Sequence, residues 1–243
     1  MTARHGHGGL KLSRDIWCNM GIGHPMRTAL QWALTASMMV FMVSCAWGQA
    51  RRDVVQGTPL DLVWYEDVES ALAAQRQGER VLALDLSRKR LRSLPEELQS
   101  LESLRYLLLN KNRLQSLPSW LANMADLEAL IADHNRFSLF PEVLMEMPQI
   151  AQLSLGENYL RGIPLDIDQM QGLQILSLWG NVLASFPASL GNLPRLTILD
   201  LLHNEMTVDE QSTLKELLPN VEINLSEPCN CEFQSGFVTY PSD

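Results

Sequence analysis

Cysteine is scarce: four residues in 243 cannot supply the dense disulfide framework that holds small secreted domains together. Cys229 and Cys231, one residue apart with no histidine or second pair nearby, fall short of a zinc set, so no metal site is expected. Aromatic residues make up 7% of the chain, which excludes a core built on rings and suits an aliphatic one. Basic residues are few: 19 Lys+Arg face 28 Asp+Glu, a formal charge of −9. From Arg51 onward the imbalance deepens to 15 against 27, a net −12, and nucleic acid is excluded as a partner on that ground.

What the chain has is leucine in a fixed rhythm. The phrase L-x-x-L-x-L-x-x-N-x-L-x-x-L-P starts at Val81, Leu104, Leu127, Ile150, Leu173 and Leu196, each 23 residues after the last. Leucine fills the fourth position all six times (Leu84, Leu107, Leu130, Leu153, Leu176, Leu199). Asparagine fills the ninth five times (Asn112, Asn135, Asn158, Asn181, Asn204), with Lys89 the exception. Five of the twelve prolines share the fifteenth position: Pro95, Pro118, Pro141, Pro164 and Pro187.

The alternation in L-x-x-L-x-L is that of a short strand, so Leu107 and Leu109 point inward and Leu108 outward. One coil cannot bury its leucines alone. Stacked coils can, pairing their strands in parallel with right-handed crossovers and fusing their apolar positions into one core. Where the chain turns away from the strand it strands backbone groups, and a buried asparagine carries both a donor and an acceptor for them. Proline, with no amide hydrogen, suits the first residue of a short convex helical turn. Leu98, Leu121, Leu144, Ile167 and Leu190 then close the core from behind. The pattern resembles the leucine-rich repeat family, in the subclass whose convex side reads L-P-x-x-L-x-x-L, over about three-fifths of the chain. The resemblance implies an α/β solenoid with a concave parallel sheet.

Residues 1–25 are polar, contain His5, His7 and His24, and have no periodicity; they read as an unstructured extension. From Met26 the chain shows Arg27, an apolar run over residues 29–43, then small residues to Ala50, the plan of an export signal over residues 26–50 with Met26 as initiator. Met42-Val43-Ser44-Cys45 resembles a bacterial lipobox, in which Cys45 would be lipidated; cleavage after Gly48 or Ala50 is the alternative, and both mean export, to the cell envelope or beyond. An uncharged span of residues 28–50 is long enough for a membrane helix, but Gln31, Thr35, Ser37 and Gln49 make it a poor one. A lipid at Cys45 would be the chain's membrane attachment. In an exported chain Cys229 and Cys231 are expected to be oxidised, without a preferred pairing.

Residues 51–80 lead into the array. Trp64, Tyr65, Val68, Ala71 and Leu72 sit at helical spacing, with Asp67 to cap the helix and Gly78 to end it, a lid on leucines the first coil would otherwise expose. The array occupies residues 81–225. At its end Thr207 and Glu210 form a capping box before Leu214, Leu217 and Leu218, Pro219 stops that helix, and residues 221–225 read as a last edge strand. The tail, 226–243, has no pattern.

Column positions on neighbouring strands lie about 4.8 Å apart, which removes most catalytic readings. His134 and His203 share a column but are three coils apart, too far to hold one metal ion. Ser177 and Asp200 are adjacent, yet no histidine completes a relay. Asp133, His134 and Glu157 read as a solvated rim with incidental pairing. Neither an enzyme nor a cofactor is expected.

What remains is the concave face, positions 3, 5, 7, 8 and 10. Tyr106, Leu108, Ile131, Tyr159, Ile175, Trp179, Ile198 and Leu202 fall there, and Arg90, Arg113 and Arg136 form a basic column. Apolar and aromatic side chains on outward positions mark a contact surface. The expectation is a non-catalytic exported recognition module for a protein or peptide, with a lipid-anchored structural envelope protein as the alternative. The N-terminal reading is checked by the mass of the precursor in its native host: it should begin at Met26, and a precursor containing residues 1–25 would contradict it.

Overall fold

The computed structural model describes residues 62–183 and 185–228. The export signal, Cys45, Cys229, Cys231 and most of the tail lie outside the described residues. Within them the chain winds into one parallel sheet of eight strands, paired in sequence order. The strands are β1 (Trp64–Tyr65), β2 (Ala83–Asp85), β3 (Tyr106–Leu108), β4 (Ala129–Ile131), β5 (Gln152–Ser154), β6 (Ile175–Ser177), β7 (Ile198–Asp200) and β8 (Glu222–Asn224). From β2 to β7 the register matches fourth position to fourth position, Leu84 through Leu199. These leucines, with those at the first and sixth positions, build a single core in which Leu84, Leu107, Leu130, Leu153, Leu176 and Leu199 are wholly buried.

Each of β2 to β6 is followed by a turn and then a short 3₁₀ helix on the opposite side, at Glu96–Ser100, Ser119–Asn123, Glu142–Glu146, Ile167–Gln169 and Ala188–Asn192. The buried residue of each turn is the expected one, from Leu98 to Leu190. Proline stands one place earlier than expected. Pro95, Pro118, Pro141 and Pro187 are the extended residues before the helix, ψ between 114° and 149°, and their carbonyls accept the first turn's amide hydrogen. Proline fits because its fixed φ suits both states and no partner waits for a missing amide.

The five asparagines link coil to coil. Each Nδ2 donates to the sixth-position carbonyl of its own coil at 2.8–3.1 Å and to that of the preceding coil at 2.8–3.2 Å. Each Oδ1 accepts the eleventh-position amide of the preceding coil at 3.0–3.1 Å. A ninth-position side chain therefore serves the coil before it. The first repeat has no such coil, which is why Lys89 stands there exposed without loss.

Two ends differ from the repeats. Helix α1 (Val68–Arg76) is capped by Asp67, whose carboxylate accepts the Ser70 amide, and Gly78 follows it at φ 89°; Ala71 and Ala74 are buried in the core. Trp64 and Tyr65 were expected in this helix and instead form β1, paired with Ala83 and Leu84. Their apolar side chains fit either spacing, and the unpaired edge of β2 decides in favour of the strand. At the other end helix α2 (Val208–Leu217) has the Thr207–Glu210 capping box, and β8 pairs with β7.

Replacing Asn158 by alanine strands Ala132 O, Leu155 O and Phe137 N in the interior and should cost roughly 1–3 kcal/mol in urea unfolding, well above Glu157→Ala, which removes an exposed charge. Equal losses would contradict the ladder.

Candidate functional site

The concave face is an extended surface on which successive coils present the same positions, and the structure divides it into three zones. The first is apolar and closed. Leu108 and Ile131 were expected to face solvent; they are 3% and 1% exposed. The register is nonetheless the expected one, because both lie outside the solenoid core, in a separate cluster with Ala129 against Trp64 and Tyr106. Side chains at one position of adjacent coils sit close enough to cover one another, and the tryptophan of β1 adds a ring that the sequence pattern did not place there. Neither residue presents a contact surface in this structure.

The second zone is polar and runs along the middle of β4 to β7. Asp133 Oδ1 accepts from Ser154 Oγ at 2.6 Å and from the Gly156 amide at 2.7 Å, and Ser177 Oγ donates to Asp200 at 3.2 Å. Asp133 is thus a link to the next coil rather than a solvated rim charge. One coil earlier Asn110 plays the same part, its Oδ1 accepting the Asp133 amide at 2.8 Å. Burial pushes the Asp133 carboxyl above the usual carboxylate range, and its two hydrogen bonds oppose that shift. Of its neighbours, Glu157 is exposed and lies beside Gly180, while His134 meets the Trp179 ring.

The third zone is aromatic. Trp179 lies over Gly156 so closely that a methyl group there would collide with the indole, and the His134 ring lies 5.5 Å from it between ring centroids, nearly perpendicular. The ring is half-buried and fixed across three coils. Around it Ile175 and Ile198 are half-buried, Leu202 is 37% exposed and Tyr159 62% exposed. The structure thus brings Trp179, Ile175, Ile198, Leu202 and Tyr159 onto coils four to six, while Tyr106 packs into the closed zone. Arg90, Arg113 and Arg136 are exposed on the earlier coils.

One feature escaped the sequence reading. The eighth position is left-handed in every coil: φ is 62° at Arg88, 57° at Lys111, 54° at His134, 49° at Glu157, 64° at Gly180 and 57° at His203. Only Gly180 signals this by its residue type. A side chain in that region costs about 1 kcal/mol or more, and the turn is held because each eighth-position amide from Arg88 to Gly180 donates to the seventh-position carbonyl of the next coil. This turn lifts positions 8 to 10 to the edge where the strands end.

Among the described residues no three His, Cys, Asp or Glu side chains gather where they could hold a metal ion. Nor is any helix among them long and apolar enough to cross a membrane.

A sheet of stacked 23-residue coils, leucine-cored and bonded through an asparagine column, is a leucine-rich repeat solenoid. The leucine rich repeat family model matches residues 79–137 of this chain. A leucine-rich repeat protein of Leptospira interrogans is 32% identical over 56% of this chain, with a TM-score of 0.52. The match covers 34% of that protein, so the chain spans about a third of its length. Internalin C2 of Listeria monocytogenes is 20% identical, with 60% of this chain and 62% of that one covered and a TM-score of 0.49. No curated protein matches the chain.

Two variants test the site's construction. Asp133→Asn keeps an oxygen for the Ser154 and Gly156 donors, as Asn110 does, and removes a buried charge. Because the Asp133 carboxyl is raised in the folded state, its contribution favours the fold below its unfolded pKa and is lost as pH rises through the folded value. The variant should therefore match or exceed the parent's stability at pH 7, and its advantage should vanish in acid; a loss at pH 7 would contradict the assignment. Gly156→Ala should displace the Trp179 ring and cost about 1–3 kcal/mol, with the indole N–H resonance of Trp179 moving; an unmoved resonance would show that the ring does not lie on the glycine.

Proposed function

We propose that this chain is a non-catalytic exported recognition module that binds a protein or peptide through its concave face. The observation that carries this is the third zone: a tryptophan locked on a glycine, with Leu202 and Tyr159 exposed on the adjacent coils, all in coils that the ladder registers. A rigid aromatic loses little conformational freedom on contact and covers much area, and such residues dominate binding energy at protein interfaces. Monomeric proteins leave few apolar side chains grouped in the open without use. Ile175 and Ile198 extend the same patch along the third position.

The export assignment rests on residues 26–50. A lipid at Cys45 would tether the chain to a membrane, so the envelope-anchored reading changes the location and not the surface. Self-association through that face is the competing use.

Affinity capture followed by titration of the isolated partner tests the proposal. Trp179→Ala should weaken binding by about thirtyfold or more, equivalent to about 2 kcal/mol, with little change in melting temperature. A large fall in stability with binding intact would place the contact elsewhere. Sedimentation over a concentration range should show no assembly that Trp179→Ala abolishes; such an assembly would favour self-packing.

A further inference from the structure

The edge where the strands end carries two columns of exposed side chains, at the eighth and tenth positions. In the first three coils they are basic: Arg88, Lys111 and His134 in one, Arg90, Arg113 and Arg136 in the other. In the next coils the tenth position turns apolar, with Tyr159 62% and Val182 47% exposed, and the last coil ends it with Glu205. An ion pair joins Arg105 and Glu128, and among the described residues none is formed by Arg88, Arg90, Lys111, Arg113 or Arg136. Yet the chain carries a net charge of −9.

Both columns are built rigidly. The eighth-position amides donate to the following coil, as described, and the tenth-position amides of Arg113, Arg136, Tyr159 and Val182 donate to the eleventh-position carbonyl of the coil before, at 2.8–3.0 Å. The backbone positions that carry these like charges are therefore held at the spacing of adjacent strands, about 4.8 Å. This is unfavourable for the free protein and favourable for an anionic partner.

The charge map also limits the partner's size. Repeats one to three are basic on this edge, but residues 150–243 hold only three basic residues against twelve acidic ones. A long polyanion or an anionic lipid surface would overrun the basic coils and meet Glu157 and Glu205. Screening confines each field to about 8–10 Å, so a short acidic segment over the first three coils feels the arginines and escapes the acids.

Resting on the recognition role proposed above, we infer that this edge takes an extended protein segment lying across the coils, acidic over Arg90, Arg113 and Arg136 and apolar over Tyr159 and Val182.

The probe is a fluorescent peptide with a run of glutamates followed by leucines, measured by anisotropy against the full chain. It should bind, weaken as salt rises, and lose about tenfold or more in affinity with Arg90→Glu, Arg113→Glu and Arg136→Glu combined. Tyr159→Ser with Val182→Ser should erase its advantage over an all-glutamate peptide. Should charge reversal lower the melting temperature, the triple Arg→Gln variant replaces it. Equal binding by the arginine variant, or tighter binding of anionic phospholipid vesicles or a single-stranded oligonucleotide than of the peptide, would overturn the inference. A captured partner that is lost with Trp179→Ala but held by the arginine variant would overturn this edge and leave the concave-face reading standing; one held by both variants would overturn both.

Discussion

The amide of an asparagine side chain, placed where the strand gives way to the turn, is the constraint on which the rest of this molecule depends. Leucine burial supplies the larger part of the free energy, but burial has no direction and would tolerate slippage between coils. The asparagine does not. Its bonds reach carbonyls in its own coil and two backbone groups in the coil before, so each coil is registered against its neighbour by groups that would be stranded in the interior by any shift.

That registration propagates outward. Because the backbone bonds continue past the strand ends at the sixth, eighth and tenth positions, the edge of the concave face is as fixed as its middle. Trp179 can then span three coils, resting on Gly156 and touching His134, only because those coils hold a constant spacing. The same regularity forces the left-handed eighth position on residues that do not favour it. The surface thus inherits its order from the core: aromatic in the later coils, basic in the earlier ones, on a scaffold with little freedom to lose when a partner arrives.

The repeat phrase was enough to place the strands at Leu84 through Leu199, the convex closing residues and the asparagine column, because each is a property of one coil read along the chain. What it could not show are properties between coils. Leu108 and Ile131 alternate outward as expected, but their covering comes from Trp64 on β1 and Tyr106 on β3. Asp133 is an ordinary acidic residue in sequence and becomes a link only when Gly156 and Ser154 arrive beside it. The left-handed column was hidden because Arg88, Lys111, His134, Glu157 and His203 give no compositional sign of it. And β1 was concealed by length, since two residues are too few to display a period. The location of the candidate face was readable from the outward positions. Which of its members are open was not.

Hydroxyl-radical footprinting of the chain with and without its captured partner measures the surface directly, side chain by side chain. Protection should appear at Trp179, Tyr159 and Leu202, while Leu139 and Leu165, the most exposed of the described large apolar residues at 79% and 84%, keep their free reactivity. Protection of Leu139 and Leu165 with the concave residues unchanged would contradict the account.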